Sequence, residues 1–191
     1  MRNMLKIIHN KLTHGEALVL VTVIASSGAT PRGAGARMLV GREGRICGTI
    51  GGGAVEYRSE QIAAKVLKDK TSLGQDFTLT KDDVQNLGMI CGGACDVFFH
   101  YLPAGDEHTI MLCEEAEEQF RKGNALWLLT RVGENGQMGL YAPDLGYWGI
   151  LVSDSLPLSR HPERIGDIFA EQINAPGKVY VFGGGHVAQE L

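Results

Sequence analysis

Two glycine-rich segments near the start of the chain carry residue types suited to binding an anion. Nine of the 26 glycines lie between residues 28 and 53, and seven of these nine fall in GATPRGAGAR (28–37) and GTIGGG (48–53). Exposed backbone N–H groups, guanidinium groups and a helix that begins just after these glycines together favour an anionic ligand. We therefore expect a phosphate-bearing small molecule to bind here. The candidate contacts are Thr30, Arg32, Gly33, Gly35, Arg37, Gly51, Gly52, Gly53 and Glu56.

Each of these residues also has a purely structural interpretation. Arg32 and Arg37 could be surface or ion-paired arginines, although guanidinium forks match phosphate geometry. The glycines at 51–53 could form a crowded turn between a strand and a helix instead of an anion nest. Glu56 suits the helix dipole but would repel a nearby phosphate. Its role is left open, with Arg32 or an uncharged part of the ligand as possible partners.

A third glycine-rich segment, LGMICGGAC (87–95), contains two of the four cysteines. The glycines after Cys91 would leave its thiol accessible and close to backbone donors that lower its pKa, so a thiolate could ligate a metal or carry sulfur. The contacts predicted here are Cys91, Gly92 and Gly93, with Cys91 as the candidate metal ligand. Most free cysteines are buried small hydrophobes. We expect this of Cys95, which should point into a strand core, and of Cys47 and Cys113.

The end of the chain carries a nucleotide-binding pattern. A buried-type strand, KVYVF (178–182), precedes GGGHVA (183–188), which fits G-x-G-x-x-A. The turn residues are Gly183, Gly185, His186 and Ala188; a glycine turn without a ligand is the alternative. A Rossmann domain needs on the order of 100 residues beyond this point. We therefore expect this polypeptide not to bind NAD(P) by itself, and a nucleotide only in a longer chain.

Hydrophobic periodicity predicts an α/β domain over residues 1–152, an α+β sheet with flanking helices. Helices are predicted over 4–12, over 55–68 and around Leu112, Ala116 and Phe120, the last ending at Gly123. Strands are predicted at 18–25, 38–40, 45–47, 77–79, 96–102, 125–131, 138–141 and 147–152. Residues 153–176 are predicted to be a linker with one helix that presents Ile165, Ile168, Phe169 and Ile173. Residues 177–191 would be the truncated start of a Rossmann-like domain.

Composition restricts the classes of partner. The 191 residues carry a formal net charge of −4, which does not favour nucleic acid. No stretch approaches the roughly 18 apolar residues of a membrane span. Four cysteines in a chain of this length do not suggest a disulfide framework. A cytoplasmic location is the resulting expectation.

Three motifs in order resemble one family. SSGATPRGAGAR (26–37), GTIGGGAVE (48–56) and GMICGG (88–93) are similar to the N-terminal domain of the xanthine dehydrogenase accessory factors, XdhC/CoxI. VFGGGHVA (181–188) resembles the opening of that family's Rossmann domain. The chain departs from the family in lacking the rest of that domain and in carrying Cys95 close to Cys91. The second departure leaves open which thiol matters.

The resemblance implies a maturation factor that is not itself an enzyme. Such a factor would bind the molybdenum cofactor (molybdopterin), protect it while a cysteine desulfurase supplies its sulfido ligand, and deliver it to an apo-enzyme. The client would be a molybdenum hydroxylase such as xanthine dehydrogenase or aldehyde oxidoreductase. The arginines would then hold the cofactor's phosphate, and Glu56 would meet the pterin edge or Arg32.

Two other functions stay open from the residues. The chain could be a fragment of an NAD(P)-dependent oxidoreductase, since the C-terminal turn fits a dinucleotide. It could also be a sulfur carrier in which Cys91 forms a persulfide. An unpaired first strand of a second domain would expose apolar surface, which favours association such as a homodimer.

Overall fold

The computed structural model describes residues 1–28, 30, 32–78, 93–152 and 155–174. Three helices are described: α1 (Arg2–Thr13), α2 (Gly53–Asp69) and α3 (Glu107–Lys122). Five strands form sheet A: β1 (Leu18–Ser27), β2 (Arg37–Gly41), β3 (Gly44–Thr49), β4 (Leu73–Thr78) and β5 (Ala94–Leu102). Five form sheet B: β6 (Leu126–Arg131), β7 (Gln137–Ala142), β8 (Gly146–Trp148), β9 (Glu163–Ile165) and β10 (Ile168–Asn174).

Both sheets are antiparallel. The strand order is β3-β2-β1-β5-β4 in sheet A and β8-β7-β6-β10-β9 in sheet B. The central strand β1 is buried from Leu18 to Ile24. Its continuous apolar run therefore reflects cover on both faces.

Helix α2 covers one face of sheet A. Val19, Val21 and Val23 of β1 share a cluster with Val55 and Ala63 of the helix. The alternate residues Leu18 and Leu20 face the opposite way, into a larger cluster formed with α1, α3, β6 and β7. The period-two alternation of a strand thus divides β1 between two cores.

Local signals set the ends of α3. The Asp106 side chain accepts a hydrogen bond from the Thr109 N–H at 3.1 Å, which caps the N-terminus. Gly123 ends the helix in the left-handed conformation, with φ +74°. The predicted C-terminal cap at Gly123 is confirmed, as are the helices over 4–12 and 55–68 and the hairpin of β2 and β3.

The helix predicted within residues 153–176 is wrong. Residues 163–174 form β9 and β10, with Ile165 opposite Ile168, and β10 pairs with β6 at the centre of sheet B. The spacing of Ile165, Ile168, Phe169 and Ile173 fits one face of a helix. It also fits two strands joined by a short turn between Ile165 and Ile168. Gly166, with φ +63°, supplies that turn. The strand predicted at 77–79 starts earlier, at Leu73.

The fold class is confirmed as a combination of antiparallel sheets and flanking helices. Within the part of the chain that the structure describes, no helix is both long and apolar enough to cross a membrane. The predicted Rossmann strand and turn at residues 177–191 lie outside the described residues.

Candidate functional site

The topology of sheet A brings the strand ends that adjoin the sequence motifs to one end of the sheet. Neighbouring strands are antiparallel, so β1, β3 and β4 finish where β2 and β5 begin. Arg37 is opposite Thr49, and Ala94 is opposite both Ser27 and Thr78. We call this the motif end of sheet A. The first glycine-rich turn (residues 28–36) follows β1, the second (residues 50–53) follows β3, and the third segment leads into β5.

The first glycine-rich turn has an anchored half and an open half. The Gly35 N–H donates to the Val23 carbonyl at 2.9 Å, and the Val23 N–H donates to the Ala36 carbonyl at 2.8 Å. Ala34 packs against an apolar cluster shared by the two sheets, formed by Ile24, Phe98 and Phe169. Earlier in the turn, Gly28, Arg32 and Gly33 are exposed.

The two arginines of this turn have different surroundings. The Arg37 side chain is 8% exposed and forms an ion pair with Glu171 of β10, itself 7% exposed. Its Nη1 also lies 3.2 Å from the Met1 sulfur. Arg32 is exposed and makes no hydrogen bond or ion pair with the described part of the chain. Of the two predicted phosphate contacts, Arg37 is therefore already paired and Arg32 is accessible.

The second glycine-rich turn is occupied by the carboxylate of Glu56. This group accepts hydrogen bonds from the Ile50 N–H at 3.0 Å and the Gly52 N–H at 3.1 Å. It also accepts one from the Thr49 hydroxyl and pairs with Arg45. Gly51 donates its N–H to the Thr49 hydroxyl oxygen at 3.1 Å.

These contacts bear on two expectations. Glu56 is 8% exposed and pairs with Arg45, not with Arg32. The N–H groups of Gly51 and Gly52, expected to hold a ligand, are used within the chain. Ligand contact at Gly51, Gly52 and Gly53 stays a prediction, and it would require these donors to be released.

The pKa of Glu56 reflects this environment. Burial acts to raise it, but hydrogen bonds from Thr49, Gly52 and Ile50, together with the Arg45 charge, act the other way. The net result is a pKa below the ordinary value of 4.5. Glu56 is therefore ionised at neutral pH and serves as an internal anion for the N-terminus of α2.

The described cysteines are packing residues. Cys95 is 4% exposed within the cluster under α2, and burial raises the pKa of its thiol. Burial also raises the pKa of Cys47, and that of Cys113 to about 12. This confirms the expected packing roles of these three residues. Gly93 is buried beside the start of β5, whereas Cys91 and Gly92 lie outside the described residues.

Sequence reasoning missed three residues of this region. Arg45 and Thr49 form hydrogen bonds with Glu56. Side chains alternate between the two faces of a strand, so the sequence of β3 could have indicated that these two residues share the face next to α2. Glu171, the partner of Arg37, had no signal in the sequence because its strand was predicted as a helix. Among the described residues, no group of three or more His, Cys, Asp or Glu could hold a metal ion.

Comparison with known proteins gives a family match that includes both glycine-rich turns. Residues 12–78 match the model of the XdhC and CoxI family, a span from the end of α1 through β4. The chain is therefore similar to this family over that segment. The resemblance drawn from the motifs is thereby confirmed.

Two curated relatives and one solved structure are similar to this chain. A Bacillus subtilis protein, named as a probable subunit of xanthine dehydrogenase, is 25% identical over 185 residues, which cover 89% of this chain and 53% of that protein. An uncharacterised Escherichia coli protein, YqeB, is 34% identical over 79 residues, which are 41% of this chain and 14% of that protein. The chain therefore spans about half, or less, of these relatives.

The structural match supports the fold. A crystal structure described as a xanthine dehydrogenase from Bacillus halodurans superposes with a TM-score of 0.66 at 17% identity. The match covers 89% of this chain and 52% of that one. Both sheets of the present chain thus recur within a larger protein.

Proposed function

We propose that this protein is an accessory factor for a molybdenum hydroxylase, such as xanthine dehydrogenase or aldehyde oxidoreductase. It binds the molybdenum cofactor as cargo at the motif end of sheet A. The observation that carries this proposal is the meeting of the glycine-rich turns and the start of β5 at one end of a single sheet. The family match and the name of the Bacillus subtilis relative support a connection to xanthine dehydrogenase.

The chemistry of the first glycine-rich turn fits the phosphate of molybdopterin. Arg32 is an exposed cation without a partner among the described residues, and the Ser26 and Ser27 side chains stand exposed where β1 ends. A guanidinium fork with neighbouring hydroxyl donors is a common phosphate environment. The second turn fits less well, because Glu56 already accepts hydrogen bonds from the Ile50 and Gly52 N–H groups and would repel a nearby phosphate.

Cys91 is the candidate thiolate in this proposal. Gly93, two positions after Cys91, is buried next to the first residue of β5, and that residue, Ala94, pairs with Ser27 of β1. We expect the Cys91 thiolate to ligate molybdenum or to carry sulfur. A cysteine desulfurase would supply that sulfur, and the apo-hydroxylase would receive the finished cofactor. The bound cofactor would supply the molybdenum centre for the client's redox chemistry.

Cofactor retention tests the proposal. Wild-type, Arg32→Ala and Cys91→Ala chains would be loaded with molybdenum cofactor and passed over a sizing column, with bound pterin and molybdenum then measured. Arg42→Ala is the matched control, because Arg42 is also an exposed arginine and lies in the β2–β3 turn, at the opposite end of the sheet. We expect the first two variants to lose cofactor and Arg42→Ala to retain it. Equal retention in all four proteins would refute this site.

A further inference from the structure

A buried ion pair joins the two sheets beside the candidate site. Arg37 is the first residue of β2 in sheet A, and Glu171 lies on β10 in sheet B. Both side chains are more than nine-tenths buried. Removing one partner of such a pair leaves an uncompensated buried charge, so the two residues hold each other in place.

Gly35 shows how closely the turn approaches this pair. A Cβ atom built on Gly35 would lie 3.1 Å from Glu171 Oε2 and 3.1 Å from Pro162 Cγ. The residue also has φ +90°, a conformation that glycine adopts without strain. The anchored half of the first turn is therefore packed directly against the carboxylate that pairs with Arg37.

Arg37 is poorly placed to bind a phosphate. A ligand would have to displace Glu171 and reach a guanidinium group that is 8% exposed. Arg32, five positions earlier, needs no such rearrangement because it is exposed. The first turn thus carries one cation open to solvent, and the strand that follows it begins with one directed to sheet B.

We propose that Arg37 is a positioning residue that does not contact the cargo. Its pair with Glu171 holds residues 34–36 against sheet B, and this fixes where Arg32 stands at the motif end. The inference rests on the proposed function for the identity of the cargo. The position of the turn itself is tested separately from cargo binding.

The Glu171→Gln variant separates the two roles by the sign of its effect. If Arg37 were a phosphate ligand held back by Glu171, removing that negative charge would free the guanidinium and tighten cofactor binding. If Arg37 positions the turn, the same change loosens the turn and weakens binding by roughly three- to thirtyfold. Binding is measured with molybdenum cofactor released from a purified molybdenum enzyme. Tighter binding by Glu171→Gln would overturn the proposal.

An apolar replacement provides a second test and a safeguard against misfolding. Well-packed apolar residues can replace a buried ion pair with little loss of stability. We therefore expect the double variant Arg37→Met with Glu171→Met to bind cofactor more tightly than Arg37→Met by itself. A double variant that binds as weakly as the single one would show that the guanidinium itself meets the cargo.

Amide exchange reports on the turn without any cargo. The N–H groups of Gly35 and Ala36 are hydrogen bonded, so their exchange measures the anchored half. Relative to amides at the centre of β1, they should exchange faster in Arg37→Met and recover in the double variant. The control is Asp167→Asn, which breaks the more exposed pair with Arg131 and should leave both amides unchanged.

The two proposals fail in different ways. If the wild-type chain retains no cofactor, the proposed function fails and the exchange measurement still decides whether Arg37 positions the turn. If Gly35 and Ala36 exchange at the wild-type rate in Arg37→Met, the positioning role is refuted whatever binds at the motif end.

Discussion

The two glycine-rich turns at the motif end differ in how many of their anion-binding groups are already paired with other groups of the chain. In the second turn, Glu56 accepts the N–H groups of Ile50 and Gly52 and also meets Thr49 and Arg45. In the first turn, Arg32 has no partner among the described residues. Both turns have the composition of an anion site, yet the second already contains its anion.

A glycine-rich turn therefore identifies unusual backbone, not an available donor. Such a turn presents N–H groups wherever it folds. Whether a ligand can use them depends on which side chains reach them first. In the second turn the carboxylate of Glu56, in the first turn of α2, reaches them, and its hydrogen bonds and its ion pair with Arg45 hold it there.

The largest predicted effect is on the anchor of the first turn. Arg37→Met leaves Glu171 buried without its partner and should lower the free energy of unfolding by about 3–5 kcal/mol. The double variant with Glu171→Met should recover most of that loss. Urea unfolding followed by circular dichroism measures both. A loss below about 1 kcal/mol in the single variant would mean that the pair does not hold the sheets together.

The next effect concerns the internal anion of the second turn. Glu56→Gln should cost about 2–3 kcal/mol at pH 7, because hydrogen bonds to a charged acceptor weaken. The pKa of Glu56 lies below its ordinary value of 4.5. Its stabilising contribution is therefore complete above that value and is lost as the pH falls through the lower folded-state pKa. The difference in free energy of unfolding between wild type and Glu56→Gln should therefore become smaller when urea unfolding is measured at acidic pH.

Glu60→Gln is the matched control for this change. Glu60 also approaches Arg45, with 3.4 Å between Oε1 and Nε, but its side chain is 35% exposed. Its loss should cost less than about 1 kcal/mol. Burial lowers the pKa of His100 from 6.5 to about 4, so this residue also titrates in the acid range. It is present in wild type and variant, and its contribution therefore cancels from the difference between them. The difference in free energy of unfolding between wild type and Glu56→Gln should not stay constant from pH 7 to a pH well below 4.5. A constant difference would contradict the role of Glu56 as an ionised internal anion.

A smaller effect divides the first turn internally. Gly35→Ala should cost about 1–3 kcal/mol, because φ is +90° and the new Cβ would meet Glu171 and Pro162. Gly33→Ala should change stability by less than about 0.5 kcal/mol, since its nearest neighbour would be Ser26 Oγ at 3.9 Å. Thermal unfolding of the two variants compares them directly. Equal costs would remove the distinction between the anchored and open halves.

The smallest stability effect belongs to Arg32. Arg32→Ala should leave the free energy of unfolding within about 0.5 kcal/mol of wild type, because the residue is exposed and unpaired within the described chain. Its loss should appear in cofactor retention instead. A clearly destabilised Arg32→Ala would place this arginine with Arg37 as a structural residue.

Local chemistry made much of the fold predictable. The stripe of Leu5, Ile8 and Leu12 predicted α1, the run from Leu18 to Ile24 predicted β1, and Gly123 predicted the end of α3. In each case the deciding interactions lie within a few residues, as helical periodicity and capping do. The hairpin of β9 and β10 escaped prediction because its apolar spacing fits a helix as well, and pairing with β6 decides between them.

The sequence by itself determined the type and order of the three motifs, and with them the family model that residues 12–78 match. It did not determine the partners of their charged residues. Antiparallel pairing in sheet A brings the motifs to one end, and the packing of sheet B brings Glu171 to Arg37. The physical reason is that an ion pair or a filled nest depends on groups far apart in sequence. Only tertiary folding sets the distance between them.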